Sequence, residues 1–245
     1  MQTFSSHAPP QKFHPLHTRT ASAIGTLIVC LLLAACSGGP GPLPTLVVGP
    51  GEQLGSFDYF VLALSWSPDY CATTGSSDSQ ECAVGRKLGF VLHGLWPQNN
   101  QGYPSNCASD PLPADMKAQF PALYPNDSLA NHEWLAHGTC TGLKPASYLA
   151  LAQQIKQLVA IPGRYQSPPA TFSATVGELK QDFTQVNPGF TPADFEVLCS
   201  GSGRYLKELY VCFSREGQPA ACGLDVHKSA LKSCQSPDFV VRNTR

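Results

Sequence analysis

A chain of 245 residues with 42% hydrophobic and only 13% charged side chains carries enough apolar matter for a sizeable core, which excludes a disordered polypeptide. Lys and Arg number 16 against 17 Asp and Glu, a formal net charge of −1, which excludes a protein that coats nucleic acid through bulk positive charge. Any nucleic acid must be gripped locally, at a site.

Residues 1–35 read as a targeting segment. Lys12 and Arg19 are its only formal charges, and an uncharged run from Ala21 ends on Leu33-Ala34-Ala35-Cys36. Small residues before a Cys, after a short apolar run, resemble a bacterial lipobox, in which Cys36 becomes the lipid-modified first residue of the mature chain. The alternative is an ordinary signal peptide cut near Ala35. The run is shorter than the roughly 20 residues of a membrane span. Ser37 stands where an inner-membrane retention signal would place Asp, which favours the outer membrane. The expected location is therefore outside the cytoplasm of a bacterium, as a periplasmic or outer-membrane lipoprotein or an extracellular protein, touching the membrane through its lipid alone. Residues 36–56 are rich in Gly and Pro and read as a tether. With no repeat and no second linker, residues 57–245 are expected to form one domain, active as a monomer.

Phe57 to Trp66 is apolar on both alternating faces, as a buried strand is. Leu88 to Leu92 is a second short apolar run, stopped by His93-Gly94. Met116 and Phe120 sit four apart in a short helical pattern opened by Pro113 and ended by Pro121. Tyr148, Leu151, Ile155 and Leu158 recur at helical spacing after Pro145, a good first-turn residue. Val176, Leu179 and Phe183 repeat the pattern up to Asn187-Pro188-Gly189. Phe195 to Cys199 and Tyr205 to Phe213 read as strands, the second followed by a hairpin loop, Ser214 to Ala220. Strands and helices mix without regular alternation, so the expected fold is α+β, with a mostly antiparallel central sheet flanked by helices.

Ten Cys are present. Cys30 falls in the targeting segment and Cys36 is assigned to lipid. The remaining eight (Cys71, Cys82, Cys107, Cys140, Cys199, Cys212, Cys222 and Cys234) form an even set that reads as four disulfides in an exported protein. None has the paired spacing of a zinc site, so no metal or other cofactor is expected.

Two segments carry the chemistry. In the first, Phe90-Val91-Leu92-His93-Gly94-Leu95-Trp96-Pro97, a strand delivers His93 at its end and Gly94 lets the chain turn sharply. In the second, Asn131 to Cys140, a helix would place His132 and Ala136, and also Glu133 and His137, as neighbours four apart, with Trp134 turned into the core. A zinc helix needs its second His one residue earlier; His137 lies about 100° around from that place. A His on a solvated helix face is the bland alternative for either segment alone.

Together the segments resemble the two active-site signatures of the ribonuclease T2 family: His93-Gly94-Leu95-Trp96-Pro97, and His132-Glu133-Trp134 followed by His137-Gly138-Thr139-Cys140. The first core strand and its Cys, Gly102-Tyr103-Pro104-Ser105-Asn106-Cys107, and Glu208 to Gly223 are similar to further parts of that family. The resemblance implies cleavage of single-stranded RNA to a 2′,3′-cyclic phosphate without metal, with His137 as general base and His93 as general acid, or the two roles reversed, and with His132 and Glu133 on the phosphate. It implies stacking of a base on Trp96 and Tyr103 with Gln98 at its edge; the family often has Asp at position 98. It also implies the pairs Cys71–Cys82, Cys107–Cys140, Cys199–Cys234 and Cys212–Cys222. One departure stands out: the family commonly has Lys before the second catalytic His, and here residue 136 is Ala. A catalytically weakened RNA-binding or interaction protein on the same fold is the alternative this departure raises.

Overall fold

The computed structural model describes Leu46 and residues 48–245; residues 1–35, read above as a targeting segment, and Cys36, read as the lipid site, lie outside the described residues. The sheet has six strands: β1 (Tyr59–Trp66), β2 (Phe90–Gln98), β3 (Phe172–Thr175), β4 (Phe195–Ser200), β5 (Tyr205–Ser214) and β6 (Asp238–Val241). Their order is β2-β1-β5-β6-β3, with β4 also on β5. Every pairing is antiparallel except the single β5–β6 contact at Tyr205 and Val240. Seven α-helices surround the sheet: α1 (Ser67–Thr73), α2 (Ser79–Cys82), α3 (Ala114–Gln119), α4 (Asp127–Ala136), α5 (Pro145–Gln157), α6 (Val176–Val186) and α7 (Leu224–Ser233). The α+β architecture, the strands at 59–66, 195–200 and 205–214, and the helices after Pro145 and Val176 are as expected.

The two faces of the sheet differ in chemistry. One presents Phe60, Leu62, Leu64, Trp66, Leu92, Leu95, Leu209 and Phe213 to Tyr148, Leu151 and Ile155 of α5 and Leu179 and Phe183 of α6, the main core. The other carries Tyr59, Val61 and Cys212, packed with Trp96, Tyr210 and Val226 of α7. Trp and Tyr on this second face bring polar edges into a half-open environment.

The sheet corrects one expectation. β2 does not stop at His93 but runs on to Gln98, through Gly94 and Pro97. It is an edge strand, paired only with β1, so Pro97 removes no ladder hydrogen bond that a second neighbour would need. Ala63 opposes Gly94 and Leu64 opposes Leu92, so His93 is the extra residue of a β-bulge. Nor does Gly94 turn the chain: it is not among the glycines of positive φ.

The four disulfides are Cys71–Cys82, Cys107–Cys140, Cys199–Cys234 and Cys212–Cys222. The end of the segment read as a tether is docked. The Gly55 amide donates to the Thr141 carbonyl at 2.7 Å, Arg215 donates to the carbonyls of Leu54 and Gly55, and Glu52 accepts from the Lys144 amide and the Ser147 hydroxyl. Leu46, Val48 and Leu54 pack against the core. The ordered body therefore begins before Phe57. No helix among the described residues is long and apolar enough to cross a membrane.

Candidate active site

α4 starts where the Asn126 side chain accepts from the Leu129 amide at 2.8 Å, an N-cap bond that satisfies one of the free donors of the first turn. It ends at Ala136. His137 is therefore not on the helix but is its C-terminal cap, its amide still bonded to the Glu133 carbonyl at 3.0 Å, and a single 3-10 turn follows over Gly138–Thr141. Gly138 is needed there: a Cβ would lie 2.5 Å from the Trp134 ring and 2.8 Å from the Tyr148 ring. Trp134 is buried, as expected, and donates to the Asp110 carbonyl at 2.9 Å. Cys107–Cys140 then ties the loop after β2 to this turn, and the Asn106 amide reaches the Ala136 carbonyl at 2.9 Å.

This staple brings His93, Trp96, Glu133 and His137 together. The Trp96 ring lies 5.1 Å from that of His93 and 5.0 Å from that of His137, and its N–H donates to Glu133 Oε2 at 2.6 Å. Trp96 is thus a post between the two imidazoles, although it also lines a cavity of about 390 Å³ with Gln98, Tyr103, Tyr210 and His137. Gln98 is buried, and Tyr103 is 60% exposed with its ring 6.4 Å from His137. Gly94 is required by the same contact: a Cβ there would sit 2.0 Å from Glu133 Oε2 and 2.3 Å from the Trp96 nitrogen. Glycine here clears space for a carboxylate.

Sequence reasoning did not single out Glu208. Its Oε1 lies 2.6 Å from His93 Nδ1, and it also accepts from the Ser65 hydroxyl (3.2 Å) and the Tyr210 hydroxyl (3.1 Å). It is buried, on the β5 stretch that faces β1. A charged residue inside the apolar run Tyr205 to Phe213 was the available signal. On its other side, His93 Nε2 is 3.4 Å from Glu133 Oε1, and His132, largely exposed, reaches the same oxygen at 4.0 Å.

The two imidazoles are driven apart in basicity. Burial opposes charge on His93, but the hydrogen bond and charge of Glu208, with the charge of Glu133, outweigh it and raise its pKa above the ordinary value. Among the described residues no carboxylate pairs with His137. Burial first, then the positive charges of His93 and His132, lower it to about 4. Its Nδ1 is buried without a hydrogen-bond partner among the described residues, as is Glu133 Oε1. Burial also raises Glu133 to about 7, against the pull of His93 and the Trp96 N–H. Burial acts the same way on Glu208, yet the His93 hydrogen bond and charge, helped by Lys207 and Tyr210, leave it lowered. The surroundings thus favour charge on His93 and neutrality on His137, on either side of an indole.

A second cavity, about 670 Å³, opens on the His93 side, lined among others by Ser65, Asn126, His132, Lys207 and Glu208. The two imidazoles therefore stand between two cavities, each large enough for part of a nucleotide.

Comparison with known proteins gives concordant results. The family model described as the Ribonuclease T2 family matches residues 57–222. The chain is similar to a ribonuclease of Aeromonas hydrophila, 38% identical over 79% of this chain and 89% of that protein. It is similar to a probable ribonuclease of Haemophilus influenzae, 29% identical over 67% of this chain and 61% of the relative. Among solved structures it is similar in fold to ribonuclease MC1 from bitter gourd seeds, with a TM-score of 0.58 and 22% identity over 75% of this chain and 99% of the other.

Proposed function

This chain belongs to the ribonuclease T2 family of RNA-cleaving endoribonucleases, and from that premise we propose that it cuts single-stranded RNA by transesterification at the His93–His137 pair. RNA brings its own nucleophile. His137, neutral, takes the proton of the 2′-OH. The 2′-oxygen forms its bond to phosphorus, the bond to the 5′-oxygen breaks, and His93, charged, gives that leaving oxygen a proton. The products are a 2′,3′-cyclic phosphate and a free 5′-hydroxyl. His132 and Glu133 hold the phosphate between the two imidazoles. Trp96, Gln98 and Tyr103 receive the base on the His137 side.

The observation that carries this reading is the opposite setting of the two imidazoles: His93 is paired with two carboxylates, and His137, among the described residues, with none. A general acid and a general base are needed at once, and the environments supply them without any change of residue type. The test is digestion of RNA by the purified protein in EDTA, with analysis of the product ends. Cyclic phosphate ends are expected. Cleavage abolished by EDTA, or 5′-phosphate ends, would refute the mechanism.

We further propose that the protein is exported and acts as a monomer held to the outer membrane by lipid on Cys36, after removal of residues 1–35. Four disulfides support maturation in an oxidising compartment. Labelled fatty acid supplied to the producing cell should enter the mature protein and be absent from Cys36→Ser; an unlabelled wild-type protein would leave an ordinary signal peptide.

A further inference from the structure

The position before His137 is Ala136, so the second signature brings no cation of its own to the phosphate. Negative charge on that phosphate grows as the 2′-oxygen attacks, and a fixed positive charge at such a place contributes on the order of 10²–10³ in rate. The structure contains one group placed to supply it.

Lys207 is the second charged residue that a β-bulge delivers to this site. On β5, Glu208 opposes Leu198 and Leu206 opposes Cys199, so Lys207 is the unpaired extra residue. The alternation of faces slips there: Leu206 and Leu209 both join the main core, which puts Lys207 and Glu208 together on the opposite face. His93 reaches that face by the same device on β2. Two independent bulges, on two strands separated by β1, thus aim a histidine and a lysine at one cavity.

That cavity is lined by His93 and His132 as well as Lys207, and among the described residues lining either cavity beside the histidines, Lys207 is the only lysine or arginine. Its ammonium is not committed elsewhere. The nitrogen is 3.8 Å from Glu208 Oε2, at ion-pair range, and its side chain is 54% exposed. Glu208 keeps hydrogen bonds from His93, Ser65 and Tyr210 if the lysine swings away. A lysine on a flexible four-carbon stem suits such a transfer.

We propose that Lys207 binds the scissile phosphate from the β5 side of the cavity, opposite His132, and supplies the transition-state cation that residue 136 does not. The inference rests on the RNA-cleaving reading above.

The test uses the whole mature protein and a dinucleoside monophosphate, whose only phosphate is the scissile one. Lys207→Met should lower kcat/KM on it by about 10²- to 10³-fold, mostly in kcat. Lys207→Arg should keep most of the activity, and Ala136→Lys added to Lys207→Met should restore at least tenfold. Ala136→Lys alone should change turnover less than threefold, because the place is already served. Binding of an uncleavable 2′-deoxy oligonucleotide gives a readout independent of turnover: in Lys207→Met the salt dependence of log Kd should lessen by about 0.7, one single-strand phosphate contact. A loss confined to long RNA, with the dinucleotide spared, would overturn the proposal by placing Lys207 on another phosphate. So would a shifted alkaline limb of the pH profile with an unchanged plateau, which would mean that Lys207 acts only through Glu208 and His93. If the wild-type protein cut no RNA, the mechanism would fall while the binding slope still decided on Lys207; an unchanged slope would overturn its role.

Discussion

His93 and His137 flank the same indole at nearly equal distances, yet they are held by different kinds of structure. His93 stands on a sheet, at a bulge, with a carboxylate on each ring nitrogen: Glu208 at 2.6 Å and Glu133 at 3.4 Å. His137 stands at the C-terminal cap of a helix, with Nδ1 unpartnered among the described residues. Burial pushes both rings toward neutrality, so burial cannot be what separates them. Partners separate them. Two buried carboxylates, Glu208 from β5 and Glu133 from α4, favour charge on His93, whereas His137 is left to burial and the neighbouring imidazoles.

Several substitutions would break or sharpen this contrast. The largest effect is expected from His93→Ala or His137→Ala, each lowering turnover by about 10³-fold or more, at the upper end of what one acid or base contributes. Release of cyclic phosphate from a dinucleotide measures it, and near-normal turnover in either variant would remove that residue from the mechanism.

Glu208→Gln should come next. It removes the hydrogen-bonded charge that raises His93, so the His93 pKa should fall. The proposed reaction needs His93 protonated and His137 neutral. Activity should therefore rise with pH as His137 loses its proton, around 4 in the free protein, and decline where His93 loses its own. In Glu208→Gln the declining limb should move to lower pH, with kcat at pH 7 reduced about tenfold, while the rising limb stays. Titration of the His93 ring by NMR checks the cause: a pKa that does not fall would show that Glu208 does not set the charge.

Trp96→Phe should act more mildly. It keeps an aromatic post between the rings but deletes the N–H held by Glu133 Oε2, leaving a buried carboxylate short of a donor. A loss of stability of about 1–3 kcal/mol is expected, read from urea unfolding. The Glu133 pKa should rise further, since the lost bond lowers it.

Much of this was legible in the residues. The apolar run of β1, the helices after Pro145 and Val176, and the two histidine signatures announced themselves, because periodicity and unusual composition are local properties. The bulge at His93 was not legible. Gly94 and Pro97 are the residues that ordinarily end a strand, and only the partner strand shows that β2 continues past them. The role of Gly94 was hidden for the same reason: the atom that forbids a Cβ belongs to Glu133, 39 positions away. Glu208 lacked a motif and offered only its charge inside an apolar strand. β3 and β6 have four residues each, too few for alternation to register, and they exist because each pairs the other.

The docked segment ahead of β1 has a consequence for reach. Were residues 36–56 slack throughout, a lipid on Cys36 would leave the enzyme on a long leash. Val48 packs against the core, and Glu52, Leu54 and Gly55 are fastened to the body beside Cys140 and to Arg215. Any slack behind a lipid on Cys36 would then be limited to the ten or so positions before Leu46, which even fully extended span about 35 Å. An anchored molecule would patrol a layer little deeper than its own diameter, and RNA would have to come to the membrane to be cut.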